Sequence, residues 1–338
     1  MTSKSQHTRW YYGLIILCIF VVFLADLSLG SSSLNASRIL SHLSDNQLFT
    51  DSETFIFYQI RLPRVLTACC AGLGLSVGGL LMQSFFRNPL AGPYVLGIGT
   101  GASLGVSLFI MGAGLGLGFQ WQSIGILSSA FLGAVLVLML ISAISLRFRS
   151  NVALLIVGLM LSYFSSAIVQ FLQYFSPAES VKKFAVWTMG SYTDVQVDQV
   201  PLFFLSVLIG LILAFVLSRF LDAFYLSNFE VEALGFSIKK QRFLVFFTIA
   251  LLVASTTAFC GPIAFLGMAV PHFARLLFRS SNHKKLILQT ALLGVLLSLI
   301  FDLLSQNPWS DSPIPLNAIA SFLGAPLVVF LLWKRKEL

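Results

Sequence analysis

The sequence predicts an all-α, polytopic membrane protein of about ten transmembrane helices with an inverted internal repeat, and three observations carry that prediction. Of the 338 residues, 57% are hydrophobic and 10% charged, with a mean hydropathy of +0.90, whereas a soluble domain carries about 25% charged residues. The apolar residues are gathered into runs of roughly 17 to 25, the length that crosses a bilayer core as a helix. Two interruptions of one kind also stand at corresponding points of the two halves. They are Phe86-Arg87-Asn88-Pro89-Leu90-Ala91, with Leu96-Gly97 soon after, and Phe259-Cys260-Gly261-Pro262-Ile263-Ala264, with Leu266-Gly267. Matched breaks of this type mark transporters built from repeated units with discontinuous helices.

The first span runs from about Tyr12 to Leu29 and is entered through the interfacial aromatics Trp10-Tyr11-Tyr12. Lys4 and Arg9 precede it and small residues follow it, as in a cleaved signal, but its length and the many spans behind it favour a retained helix. Further spans follow near Val65 to Phe85, Tyr94 to Gly112, Ile124 to Leu146, Val152 to Tyr174 and Val200 to Leu217. Phe243 to Phe259, a short broken segment at Ile263 to Phe278, Leu286 to Leu304 and Ala318 to Trp333 complete the set. Residues 30–60 and 175–199 read as loops or short interfacial helices, made acidic by Asp45, Asp51, Glu53, Glu179, Asp194 and Asp198. The chain is thus one transmembrane domain, 1–338, with 61–174 as a first repeat, 243–334 as a second and 219–242 as a cytoplasmic loop. Of 21 Lys and Arg, all but Arg38, Arg61, Arg64, Lys182 and Lys183 fall on the face that holds both termini, which places the termini in the cytoplasm.

Charge and motif content exclude several functions. The net charge of +8 is spread between hydrophobic runs and is not gathered on one soluble face, which speaks for membrane topology and against nucleic acid. Cys18, Cys69, Cys70 and Cys260 lie in or beside apolar segments without metal-ligand spacing and read as small hydrophobes. No Gly-x-x-x-x-Gly-Lys-Ser/Thr loop is present. Gly97-Ile98-Gly99-Thr100-Gly101 lies in an apolar run and, with Gly74-x-x-x-Gly78 and Gly101-x-x-x-Gly105, reads as close helix contact. His7, His42, His272 and His283 form no catalytic constellation, so an enzyme is not expected. Asp302 alone lies well within a span, either as a proton relay or as a structural polar anchor, and Asp26 is placed near the interface.

A chain without a relay or a nucleotide site must draw energy from a contact, and the segment from Arg219 to Arg242 offers one. Ser227 to Phe236 has polar capping residues, Phe229, Ala233 and Leu234 at helical spacing, and Gly235 near its end. It reads as a short amphipathic helix or as a solvated interfacial turn.

Arg61-Leu62-Pro63-Arg64-Val65-Leu66, Gly72 to Gly79, Met82-Gln83, Asn88-Pro89-Leu90-Ala91-Gly92-Pro93 and Leu96-Gly97 resemble the amino-half signature of one transport family. The second half adds Ala233-Leu234-Gly235, Gly261 to Gly267, Val270-Pro271-His272, Ala274-Arg275, Asp302, Pro313-Ile314-Pro315 and Leu323-Gly324-Ala325-Pro326. Over Arg61 to Lys334 the chain is similar to the ten-helix permeases of the ATP-driven importers for iron-siderophores, haem and vitamin B12.

The resemblance implies a permease of the bacterial cytoplasmic membrane that pairs with a second, related but non-identical permease. It also implies two ATPase subunits that bind ATP and Mg, and an extracytoplasmic binding protein or lipoprotein; no cofactor or metal is implied for this chain. By position, Arg61 and Arg64 match docking arginines that grip carboxylates of the binding protein, while a third basic contact would fall at Gln306, which is uncharged. Ser227 to Phe236 matches the coupling helix, with Glu230, Glu232 and Gly235 against the ATPase. Asn88, Pro89, Leu90 and Asn151 match positions narrowing the inner mouth, and Gly261 and Pro262 flank the translocation path. The polar stretch Ser162, Tyr163, Ser165, Ser166, Gln170 and Gln173 could line the wide cavity that a chelated or macrocyclic iron compound needs. The resemblance implies a ferric siderophore ahead of haem or cobalamin, because siderophore systems dominate that family. The rival from another class is a stand-alone ion-coupled carrier using Asp302.

Overall fold

The computed structural model describes residues 2–29, 38, 49–89, 91–93, 96–112, 122–145, 151–224, 226, 228–306 and 314–335. These fold into helices throughout. Among them, seven are long and apolar enough to cross a membrane and three are shorter apolar helices, so the ten spans expected from hydropathy are each represented by a helix.

α1 (Thr2–Ser28) is followed by α2 (Asp51–Phe55), which opens on a capping box. Glu53 N–H donates to Thr50 Oγ1 at 3.3 Å, and the Glu53 carboxylate accepts from Thr50 N–H at 2.8 Å. A π-helical stretch, Ile56–Arg61, leads without a break into α3 (Leu62–Phe85), with Pro63 just past the junction. The segment read as loop or interfacial helix is therefore, from Asp51 on, an extension of the second span.

α4 (Ile98–Gly112) and α5 (Gln122–Ser145) form a close antiparallel pair. A Cβ at Gly105 would overlap Ser129 O and one at Gly133 would overlap Gly101 O, so the glycine spacing lets backbone touch backbone. α6 (Asn151–Phe175), the surface helix α7 (Ala178–Thr188), α8 (Val200–Ala223) and the short α9 (Asn228–Ala233) follow. α10 (Ile238–Ile249), a π-helical stretch Ala250–Ala254 and α11 (Ser255–Cys260) form the seventh span. Its widened turn is lined by hydroxyls: Thr256 Oγ1 donates to Leu252 O at 2.6 Å and Thr257 Oγ1 to Val253 O at 2.9 Å. α12 (Leu266–Phe278), α13 (His283–Ser305) and α14 (Leu316–Arg335) complete the chain.

α3 is the centre of the bundle, packed on α1, α8, α12 and α13, and its residues from Gly74 to Phe85 are all buried. α1, α5, α6 and α8 instead expose rows of Leu, Ile, Phe and Val, the surface a lipid-facing or partner-facing helix requires.

The two sequence breaks meet. Gly267, at the start of α12, lies against Gly79 of α3 and against Pro93, where a Cβ would come within 2.9 Å of the proline ring. At the second break, Gly261 takes φ +72°, and a Cβ there would lie 2.5 Å from Trp187 O. The exposed backbone is satisfied by neighbours: Cys260 O accepts from Ser191 N–H at 2.9 Å, and Ala264 N–H donates to Asn317 Oδ1 at 3.1 Å. Non-helical backbone at membrane depth persists only where protein supplies such partners.

Candidate functional site

Side-chain contacts sort the bundle into two ends. The end that carries α9 holds the last residues of α3, α5, α8 and α12 and the first of α10 and α13. The opposite end carries α7 and the last residues of α1, α11 and α13.

At the α9 end the helix itself is six residues, closed by Gly235 at φ +84°. Gly235 N–H reaches Glu232 O at 2.9 Å and Phe236 N–H reaches Val231 O at 3.3 Å, the paired bonds of a Schellman turn. Of the two readings left open by the sequence, the helix is the one formed. Val231 is its buried foot, whereas Phe229 is 82% exposed and Leu234 60%, and Glu230 and Glu232 face outward with them.

Beside it, the end of α3 is tied to three neighbours within five residues. Gln83 donates to Met268 O at 2.9 Å and accepts from Arg275, both on α12. Ser84 bonds His283 Nε2 at 2.9 Å, and His283 Nδ1 lies 2.6 Å from Asp222 Oδ1 at the end of α8. With Nδ1–H donated to the carboxylate, Nε2 accepts the Ser84 hydroxyl. Ser84, His283 and Asp222 have the connectivity of a hydrolytic triad, but the cluster is closed inside helix packing, in keeping with the expectation that the histidines form no catalytic constellation. Ser84 is 1% exposed inside the packed end of α3, so the arrangement acts as a bolt between helices. Arg87 donates to Phe224 O and to Leu226 O, tying α3 to the lead-in of α9. Asn88 and Pro89 follow directly, half-buried. Leu90 lies outside the described residues, and Asn151 is described only as the first residue of α6.

The opposite end holds the ion-pair cluster. Arg64 grips Asp302 with Nε at 2.8 and 3.0 Å from the two carboxylate oxygens and Nη2 at 2.7 Å, and Nη2 also donates to Ser305 Oγ at 3.0 Å. Arg61, 6% exposed, donates to Leu27 O at 2.7 Å and Ser28 O at 3.2 Å, capping the end of α1. Asp26, expected at the interface, is 1% exposed and bonded by Gln306, because α13 closes over that end of α1. Gln306, the position where a third basic contact was sought, thus faces inward. Close by, Tyr192 bonds Ser298 at 2.6 Å, and Ser298 Oγ donates to Ala68 O at 2.7 Å. The Ser proton is thereby used, so the phenol is the donor; burial holds its pKa well above the usual range and keeps that proton in place.

A cavity of about 720 Å³ opens at this end beside the second break, lined by Phe109, Glu179, Lys183, Trp187, Asp194 and Gly261. Along α6, Tyr163, Gln170, Phe171 and Tyr174 are exposed, with Ser166 and Gln173 half-buried among them. Among the described residues no group of three or more His, Cys, Asp or Glu side chains converges as a metal site would require. Sequence alone assigns no task to Arg87 or Asp222 and places Asp26 near the interface, whereas all three bond across helices. A long basic side chain in a helix-ending position, where glycine is usual, was the legible signal for Arg87; the other two depend on contacts far apart in sequence.

Comparison with known proteins agrees with this architecture. The model of the FecCD transport family matches residues 17–334. The molybdate import system permease protein MolB of Haemophilus influenzae is 32% identical over 99% of this chain and 98% of its own length. The hemin transport system permease protein HmuU of Yersinia pestis is 30% identical, covering 96% of each chain. The iron(3+)-hydroxamate import system permease protein FhuG of Bacillus subtilis is 30% identical over 99% of each. A solved metal-chelate type ABC transporter in an inward-facing conformation superposes with a TM-score of 0.83 at 29% identity, covering 96% of this chain and 99% of that one.

Proposed function

The chain belongs to the FecCD transport family and is a multi-pass permease subunit of an ABC importer, not itself catalytic; from that premise we propose that its cargo is a ferric siderophore. The observation that carries this reading is the face of α6. It presents Tyr163, Ser166, Gln170, Phe171 and Tyr174 with no charged residue anywhere between Asn151 and Phe175. Aromatic and neutral polar groups pass a bulky chelate whose metal is already wrapped, without holding it tightly enough to stop it. The hydroxamate-named relative supports the same class, and the hemin-named one extends it to a planar iron chelate. A second reading, a small oxyanion, is favoured by the molybdate-named relative and by the hydroxyl and amide donors on the same face. ATP-driven uptake by the reconstituted importer decides between them: accumulation of radio-iron as its hydroxamate complex, with no uptake of labelled molybdate, is the expected result, and the reverse refutes the siderophore reading.

As a permease of this type the chain works with ATPase subunits and a binding protein. We place the α9 end in the cytoplasm, where 16 of the 21 basic residues fall, with both termini there. Glu230, Glu232 and Gly235 then belong to the ATPase contact, and exposed Phe229 supports it. Asn88, Pro89, Leu90 and Asn151 form the inner mouth, and the contact of Pro93 with Gly267 supports residues 61–174 and 243–334 as paired repeats hinged at Gly261 and Pro262. On the outer face Arg64 serves two carboxylates in this reading, Asp302 through Nε and Nη2 and one on the binding protein through Nη1, with Arg61 steadying the helix start beneath it. An uncharged Gln306 supports asymmetric docking and hence a second permease that is not identical. The carrier alternative loses its relay, because the Asp302 carboxylate is held by Arg64.

A further inference from the structure

Glycine ends a helix in the left-handed conformation at least cost, yet at the end of α3 that position is Arg87, φ +49°. The bonds that close the helix are made by backbone alone: Arg87 N–H reaches Ser84 O at 3.3 Å, and Asn88 N–H reaches Gln83 O at 3.1 Å. Helix termination therefore does not need this side chain, and the backbone conformation disfavours it. What the side chain adds is a link to another element. Nη2 donates to Phe224 O and, at 3.4 Å, to Leu226 O, and the guanidinium carbon lies 5.1 Å from the Phe224 ring centroid. Phe224 is the C-cap of α8, where helix geometry leaves acceptors unbonded and the dipole is negative, and Leu226 lies in the segment that leads on to α9. One residue past Arg87 stands Asn88; two past Leu226 stands Asn228, the first residue of α9.

We propose that Arg87 is a positioning residue for transport, the strut that carries displacement of α9 to the Asn88–Pro89 strip. The proposal rests on α9 being the ATPase contact. The body of α3 is held to α12 through Gln83 and to α13 and α8 through Ser84, and it is the most enclosed helix of the bundle. Phe85 stacks on the Phe224 ring at 5.3 Å as part of the fixed body of α3, so a push arriving through the 224–228 segment pivots there and is carried by Arg87 to the strip beyond Phe85. A guanidinium suits the task, since Nη2 donates to both carbonyls while the planar group lies over a ring, whereas a lysine ammonium is a single flexible point with no face to stack.

The test uses the whole importer, reconstituted with its binding protein and ATPase subunits, with ATP hydrolysis and import read on the same vesicles for Arg87→Gly and Arg87→Lys. Glycine relaxes the left-handed backbone, so Arg87→Gly assembles. Its hydrolysis stays within about twofold of the parent while import per ATP falls about tenfold, the scale of one lost charge-assisted hydrogen bond; Arg87→Lys falls between. Unchanged import per ATP in Arg87→Gly overturns the proposal, and so does a parallel loss of hydrolysis and import in an intact complex. The α9 assignment is read separately: failure of Phe229→Cys to crosslink to an ATPase subunit removes that assignment, whereas a normal crosslink beside normal import in Arg87→Gly removes the strut alone.

Discussion

Replacing Asp302 with Asn separates an anchor from a relay. The carboxylate is 2% exposed and Arg64 16%, so the substitution leaves a guanidinium largely enclosed without its counter-charge. Breaking a buried pair from one side costs about 3–5 kcal/mol. Arg64 keeps Asp302 O, Ser305 Oγ and the new amide oxygen as acceptors, which puts the loss near the lower end, about 3 kcal/mol. At about 2.1 cal/mol/K per residue over 338 residues, the unfolding entropy is roughly 0.7 kcal/mol/K, and the midpoint falls by about 4 °C. Adding Arg64→Met removes the orphaned charge and returns about 2 kcal/mol, a coupling a double-mutant cycle reads directly. The assay is thermal retention of the monodisperse peak in detergent, paired with ATP-driven import. Losses that simply add in the double variant refute the ion-pair reasoning. A stable Asp302→Asn that hydrolyses ATP but no longer imports shows that the carboxylate acts in transport and not as an anchor.

Phe229→Ala, at 82% exposure, leaves stability within about 0.5 kcal/mol but removes an aromatic anchor of about 2 kcal/mol or more, so co-purified ATPase falls about thirtyfold at limiting concentration; undiminished ATPase recovery counts against α9 as the contact. Gly235→Ala meets open space but keeps φ +84°, so its cost is backbone strain alone, about 1–2 kcal/mol, seen as a small drop in the thermal midpoint. Gly79→Leu drives a side chain into the Gly267 carbonyl and costs upwards of about 3 kcal/mol, read as loss of the monodisperse peak, while Gly13→Leu, with nothing near it, is neutral.

The spans were legible because lipid leaves the chain no choice: a segment that crosses must be helical, apolar and about twenty residues long. Gly261-Pro262 was legible for a related reason, since few other sequences tolerate φ +72° followed by a residue without an N–H. Thr50 and Glu53 carry a capping-box signal that places a helix start at Asp51, inside a stretch that reads as loop or short interfacial helix. The polar contacts at the bundle ends were not legible. Arg64 and Asp302 stand 238 residues apart, Asp26 and Gln306 280, and no periodicity links such pairs. Resemblance assigned Arg61 and Arg64 an outward task from their position; their inward bonds follow only from the helices that pack over them.

The placement of charge explains why the energy for transport comes from other subunits. Among the described residues, Arg61, Arg64, Asp26 and Asp302 gather at one end of the bundle. Asp222, Arg242, His272, Arg275 and His283 gather towards the other. Between them the inner spans hold several hydroxyls spent on carbonyls of their own helices, as at Thr248, Thr256 and Thr257, and glycines pressed against backbone, as at Gly72 and Gly294. A proton crossing such a bundle needs ionisable groups within hydrogen-bond reach of one another along the way, because a charge in low dielectric is costly without a partner. The glycine seams that exclude those groups also let α3 approach α12 and α13 without interlocked side chains. A core with few ionisable groups among its described residues, and smooth at its helix contacts, suits converting a displacement delivered at one end into relative movement of helices.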